Sequence, residues 1–183
     1  ANLPFGDTSL VGTTIAVLKP AFRQVLVVTR NRASLPDLGV EVLEDQSSLQ
    51  GPLVGIARGL AHSDAPWFFV TACDMPFLKT EVITEMALHL TDYDAVIPRH
   101  DGRLQTLHAF YSSRCLAVAE EILADGITSI RELVSRCRTK ELSNDDLAPH
   151  PDGSNSFRDL DTEAEYRDAL REALKEDDGP PIS

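Results

Sequence analysis

Trp67-Phe68-Phe69-Val70-Thr71-Ala72-Cys73-Asp74-Met75-Pro76-Phe77 is the stretch on which the reading of this chain turns. An apolar run passes through two small residues into an aspartate, and Pro76 then blocks further strand or helix pairing. The run lacks the alternation of a half-solvated strand. It predicts a strand buried on both faces, as in a parallel sheet flanked by helices. Ligands in such sheets sit in the crevice beyond the carboxyl ends of the strands. Asp74 falls at that end, so the expectation is a metal-binding carboxylate presented to a nucleotide phosphate chain.

Working outward, strand and helix signals alternate over the first hundred residues. Leu10 to Phe22 carries a helical apolar stripe interrupted late by Pro20. Val25–Thr29 (VLVVT) and Val40–Leu43 read as short strands. Gly51-Pro52 opens a helix to about His62, with proline at the first position, where its missing N–H costs nothing. After the strand at residues 67–73 come a helix from Thr80 to Leu90 and a strand at Ala95–Ile97. Leu104–Tyr111 (LQTLHAFY) reads as one further strand. Helices follow from Cys115 to Ala124, with a glycine stop at Gly126, and from Ser129 to Arg136. Ser156–Leu160 reads as a last short strand before an acidic helix, Glu163–Lys175. The pattern predicts an α/β sheet with crossover helices.

The 183 residues, 43% hydrophobic and 25% charged, fit one ordinary globular domain. A formal net charge of −12 argues against a broad nucleic-acid surface, which needs clustered Lys and Arg. It leaves room for a small nucleotide, because a divalent cation offsets phosphate charge. Cys73, Cys115 and Cys137 are odd in number and widely spaced, which predicts neither a disulfide framework nor a zinc site and suits a reducing cytosol. No run is long enough for a membrane span and no signal peptide is visible.

Three carboxylate positions stand at proposed strand ends: Asp45, Asp74 and the pair Asp159/Asp161. Mg²⁺ takes one or two protein carboxylates and leaves its other positions to phosphate and water. Asp74 and Asp161 suit those roles if their strands are neighbours, while Asp45 and Asp161 equally suit a turn or a helix cap. Gly51-Pro-Leu-Val-Gly55 sets two glycines one turn apart at a helix start, where free N–H groups meet an anion. His108 and His62 have no partner at metal-ligand spacing and read as core or surface histidines. Cys73 reads as a small buried residue, and Arg131 as an exposed helix residue with a phosphate ligand as the second option.

In order along the chain, Asp45, GPLVG (51–55), CDMP (73–76), Gly102-Arg103-Leu104-Gln105 with LHAFY, and Phe157–Thr162 (FRDLDT) resemble the molybdenum cofactor guanylyltransferase (MobA) family. The resemblance covers nearly the whole chain, and GPLVG followed by CDMP is its most specific part. It implies a Rossmann-like three-layer sandwich of the nucleotide-diphospho-sugar transferase type, mostly parallel, in a single domain over residues 1–174 with a frayed tail at 175–183. It also implies a Mg²⁺-dependent, cytoplasmic transfer of GMP from GTP to molybdopterin with loss of pyrophosphate. The product is then passed to molybdoenzymes or delivery proteins. Asp74 is the implied catalytic metal ligand, completed by Asp159 and Asp161. Thr29, Asp45, Gly51 and Gly55 are the implied nucleotide contacts.

Thr29 stands where the family has asparagine, and FRDLDT replaces the usual Asn-x-Asn-Thr-Pro. Acidic versions of that motif occur in related cytidylyltransferases, so CTP or another phosphorylated acceptor is the alternative. Asn2–Gly6 resembles the segment just past the family's glycine-rich loop, which is expected upstream of Ala1. A chain that truly starts at Ala1 fits a non-catalytic nucleotide-binding protein instead.

Overall fold

The computed structural model describes residues 3–147, 151–160 and 162–177. A hairpin of β1 (Pro4–Phe5) and β2 (Thr8–Ser9) leads into α1 (Leu10–Leu18), capped by the Ser9 hydroxyl, which accepts from the Gly12 N–H. β3 (Leu26–Thr29) and β4 (Glu41–Glu44) follow, then α2 (Pro52–Leu60), β5 (Trp67–Thr71) and α3 (Thr80–Ala87). The second half runs β6 (Ala95–His100), β7 (Arg103–Leu104), β8 (His108–Ser112), α4 (Cys115–Ala124), α5 (Ile130–Arg136) and β9 (Thr139–Leu142). α6 (Glu163–Asp177) closes the chain, two residues beyond its expected end.

Five strands form one sheet in the order β5-β8-β6-β7, with β9 also paired to β6. Side chains alternate across it with the period of two that a pleated strand imposes. Ala95 and Ile97 of β6 and Ala109 and Tyr111 of β8 face α2, α4 and α5, meeting Leu53, Leu60, Ile122 and Leu133. Val96 and Phe110 face the other way, onto Val82, Ile83 and Met86 of α3 and Leu18 of α1. Both faces are therefore roofed by helices, the three-layer α/β arrangement that the alternating pattern predicted. Each fully buried Leu, Ile or Phe contributes about 1.5–3 kcal/mol, and these two cores dominate the stability. A third, smaller cluster docks Ala169 of α6 on Phe5 and Leu10.

The sheet departs from expectation in four places. It is mixed: β6 and β9 are parallel, whereas β8 runs antiparallel to both β5 and β6. β3 and β4 pair in parallel as a separate two-stranded sheet. Second, β5 is not buried throughout, because among the described residues its ladder partner is β8 alone. All five of its residues are half-buried, as are all four of β3.

Third, LQTLHAFY is not one strand. Asp101 and Gly102, with φ of 48° and 75°, form a two-residue hairpin turn between β6 and β7. A second turn at 105–107, closed by the His108 N–H donating to the Gln105 carbonyl at 3.0 Å, then separates β7 from β8. Fourth, Pro151–Phe157 is a 3-10 helix and residues 158–160 are irregular, where a strand was expected from Ser156. β9, with the sequence TKEL, gave no strand signal. It is placed by its pairing to β6 and by Asp94, whose carboxylate accepts from the Arg138 N–H at 3.1 Å and from Arg114 Nε at 2.6 Å.

Candidate functional site

Asp74 lies three residues past the end of β5. The Ala72 N–H still donates to the Leu107 carbonyl at 3.1 Å, so the chain stays tied to the sheet up to the aspartate. Met75, Pro76 and Leu78 are then buried, which drives the chain sharply into the core beyond it. The Asp74 carbonyl accepts from the Leu160 N–H at 3.1 Å. Its carboxylate oxygen Oδ1 is buried and has no hydrogen-bond partner among the described residues. A carboxylate oxygen withdrawn from water without a partner is costly, and such groups are found paired or coordinating metals. This orphaned oxygen fits a divalent cation.

The segment 156–160 reaches Asp74 from the far end of the chain. Buried Ser156 accepts from the Lys79 N–H at 3.0 Å, joining the segment to the start of α3. Phe157 packs edge-on to His108, 4.7 Å between ring centres, and lies 5.1 Å from His100. The Arg158 guanidinium sits over Phe77 at 4.8 Å and pairs with Glu172 of α6 at 2.7 Å. Asp159 is exposed and precedes Leu160, so the Leu160–Asp74 bond brings its backbone into the neighbourhood of Asp74. Asp161 lies outside the described residues. Among those residues no group of three His, Cys, Asp or Glu side chains is arranged around a metal position.

Thr29 and Asp45 meet at the ends of β3 and β4. The Asp45 N–H donates to the Thr29 carbonyl at 2.7 Å, and the Asp45 carboxylate accepts from the Ser47 N–H at 2.9 Å. Asp45 thus serves as a turn carboxylate, and with Arg32, Glu44, Ser47 and Arg58 it also lines an open groove beside β4. Asp74 is not part of that groove, and no hydrogen bond joins Thr29 or Asp45 to it. Arg30 donates to the Leu49 and Ser47 carbonyls at 2.9 and 3.2 Å, fixing the loop that leads to Gly51.

The two glycines differ in kind. Gly51 has a φ of +138°, and a Cβ on it would meet Thr128 Cβ and Oγ1 at 3.0 Å. Glycine is therefore required by backbone conformation and by close approach to the α4–α5 turn. A Cβ on Gly55 would meet only Val28 Cγ1, at 3.9 Å, in ordinary contact with β3.

His108 is fully buried between Phe69 and Phe157, and neither ring nitrogen makes a well-formed hydrogen bond. Burial pushes its pKa down to about 3, against a smaller opposing pull from the Ser156 backbone. Of the core and surface readings that the sequence left for the two histidines, His108 takes the first and His62, paired with Glu41 at 2.9 Å, the second. Arg131 is exposed as expected, whereas Cys73 is half-buried instead of buried. Sequence reasoning did not find Ser156, Leu160 or Thr128 as parts of the site. Ser156 acts through its hydroxyl and Leu160 through its N–H, both across long sequence separations, and Thr128 acts only by proximity to a glycine, so none carries a local signal.

A sequence model of the MobA-like NTP transferase domain matches residues 1–142. A probable molybdenum cofactor guanylyltransferase of Clostridium perfringens strain 13 is 27% identical over 176 residues, covering 93% of this chain and 87% of that protein. A protein of the same name from Pelotomaculum thermopropionicum is 30% identical over 162 residues, 88% of this chain and 79% of the relative. Among solved structures, molybdopterin-guanine dinucleotide biosynthesis protein A from Archaeoglobus fulgidus superposes with a TM-score of 0.81 at 23% identity, covering 95% of this chain and 90% of that one. The 2-C-methyl-D-erythritol 4-phosphate cytidylyltransferase of Thermus thermophilus gives 0.73 at 15% identity over 95% and 93%. At these identities the superpositions establish a shared fold. No helix among the described residues is long and apolar enough to cross a membrane.

Proposed function

Because the chain belongs to the MobA-like NTP transferase domain family, we propose that it transfers GMP from GTP to molybdopterin in the cytoplasm. A nucleotidyltransferase activity follows from the family and from the names of its relatives; GTP and molybdopterin are the finer reading. The observation that carries it is the buried, unpartnered Oδ1 of Asp74 at the carboxyl end of β5. A terminal phosphate oxygen of molybdopterin attacks the α-phosphorus of GTP. The new P–O bond forms as the bond from the α-phosphorus to the bridging oxygen breaks, and pyrophosphate leaves with the electron pair.

The protein's part is positioning and charge complementarity, since no covalent intermediate is needed. Asp74 would hold Mg²⁺, with Asp159 and Asp161 supplying the far side of the site. The bound ion neutralises phosphate charge and orients the reacting oxygens. Gly51 opens α2 without a side chain at its amino end, where backbone N–H groups and the helix dipole favour an anion. Gly55 keeps the next turn close to β3. Thr29 and Asp45, joined at the ends of β3 and β4, would contact the guanine nucleotide. The product would pass to a molybdoenzyme or a delivery protein.

Incubating the full-length protein with Mg²⁺, molybdopterin and either GTP or CTP, while following pyrophosphate, tests this reading. Release with GTP and little with CTP is expected. The reverse preference assigns a cytidylyltransferase. No release with either nucleotide from folded protein rejects the transferase reading and leaves a nucleotide-binding role.

A further inference from the structure

Cys115 is the first residue of α4 and Cys137 caps the end of α5, and their sulfur atoms lie 3.6 Å apart. Cys115 is fully buried and also reaches the Asp94 carbonyl at 3.1 Å, whereas Cys137 is half-buried. Neither takes part in the proposed transfer. We propose that these two cysteines form an oxidation-sensitive dithiol, which a peroxide converts into an intramolecular Cys115–Cys137 disulfide.

The two thiols are unequal, as such chemistry requires. The hydrogen-bonded contact with the Cys115 sulfur holds Cys137 below the ordinary thiol range, against the opposing effects of burial and of Asp94. Its partnership with Cys137, together with burial, raises Cys115. Cys137 is thus the more accessible sulfur and the one richer in thiolate, the form that reacts with oxidants.

The Cys137 thiolate attacks one peroxide oxygen, forming an S–O bond as the O–O bond breaks and hydroxide leaves. The Cys115 sulfur then attacks the Cys137 sulfur, giving up its proton. The S–S bond forms, the S–O bond breaks, and the departing oxygen leaves as water. Two thiols are oxidised by two electrons in total, and the peroxide is reduced to water. The bond closes a loop containing α4, α5 and the turn that carries Thr128 against Gly51. Closing such a loop restricts the unfolded chain and raises the melting temperature.

The test treats the full chain with a small excess of hydrogen peroxide, alkylates remaining thiols and maps the peptides. A cross-linked Cys115–Cys137 peptide is expected. Cys73 alone of the three cysteines should be alkylated, the melting temperature should rise, and dithiothreitol should reverse all of it. Cys137→Ser should abolish the cross-link and the thermal shift. Cys115→Ser should leave a sulfenic acid on Cys137 that dimedone traps. Three alkylated thiols after treatment, a sulfinic acid on Cys137 without a cross-link, or a disulfide through Cys73 would each overturn the proposal.

Discussion

The Leu160 N–H donates to the Asp74 carbonyl at 3.1 Å, across more than eighty residues of sequence. This bond fastens the carboxyl-terminal segment over the end of β5, where the buried Asp74 Oδ1 has no hydrogen-bond partner among the described residues. The backbone at the aspartate is held by the Ala72–Leu107 bond before it and by the Leu160 bond at its own carbonyl. Under the proposed function, such an arrangement would pre-organise the carboxylate before a nucleotide binds.

Docking of this segment depends on Ser156. Replacing it with alanine removes the acceptor for the Lys79 N–H and should lower stability by about 1 kcal/mol, read by urea denaturation. KM for the nucleotide should rise as well, because Leu160 and Asp159 are then held less firmly. Unchanged stability and unchanged KM would show that the segment is held without Ser156.

The two glycines of α2 should respond oppositely to alanine. Gly51→Ala places a Cβ at φ +138° and within 3.0 Å of Thr128, and should destabilise by roughly 1–3 kcal/mol. Gly55→Ala meets only Val28 at 3.9 Å and gains helix propensity, so its stability should hold or rise by up to about 1 kcal/mol. Melting temperatures of the two variants decide this directly.

His108 predicts an acid-labile core. Its folded pKa of about 3 lies below the ordinary 6.5, so between those values the unfolded chain binds a proton that the folded one refuses. The neutral ring's stability is full above that ordinary value and is lost as pH falls through the window. His108→Phe, in a pocket already walled by Phe69 and Phe157, removes this dependence. Between about pH 7.5 and about pH 4.5 the wild type should lose roughly 2–3 kcal/mol more than the variant. Parallel pH profiles would contradict it.

The sequence revealed more of the fold than of the site. Apolar periodicity located α1 to α5 within a few residues, because each helix buries one continuous stripe. It located β5 and the aspartate that ends it for a similar reason. It could not show that β5 pairs with β8 alone among the described residues, since apolar content reports burial of the faces and not the number of ladder partners. TKEL carries no strand signal, yet it is β9, held by pairing to β6 and by Asp94. LQTLHAFY hid a turn because Thr106 and Leu107 are not typical turn residues, and they are fixed there by the Tyr111 hydroxyl donating to the Thr106 carbonyl at 2.9 Å. Position and residue type placed Asp74 just past the end of β5 and Gly51 at the start of α2. The Ser156–Leu160 docking was not legible, because the Ser156 hydroxyl and the Leu160 N–H find their partners at Lys79 and Asp74 across long sequence separations that leave no local pattern.

The most direct measurement is a Mg²⁺ titration of GTP binding and pyrophosphate release for wild type and Asp74→Asn, with thermal denaturation alongside. The carboxylate at the mouth of β5 should prove indispensable to the ion-dependent chemistry and dispensable to folding. Turnover should fall at least about a hundredfold, equivalent to several kcal/mol of lost transition-state stabilisation, with an unchanged melting temperature. An asparagine variant that binds and turns over like the wild type would contradict the account. A variant whose activity falls only in step with its thermal stability would contradict it equally.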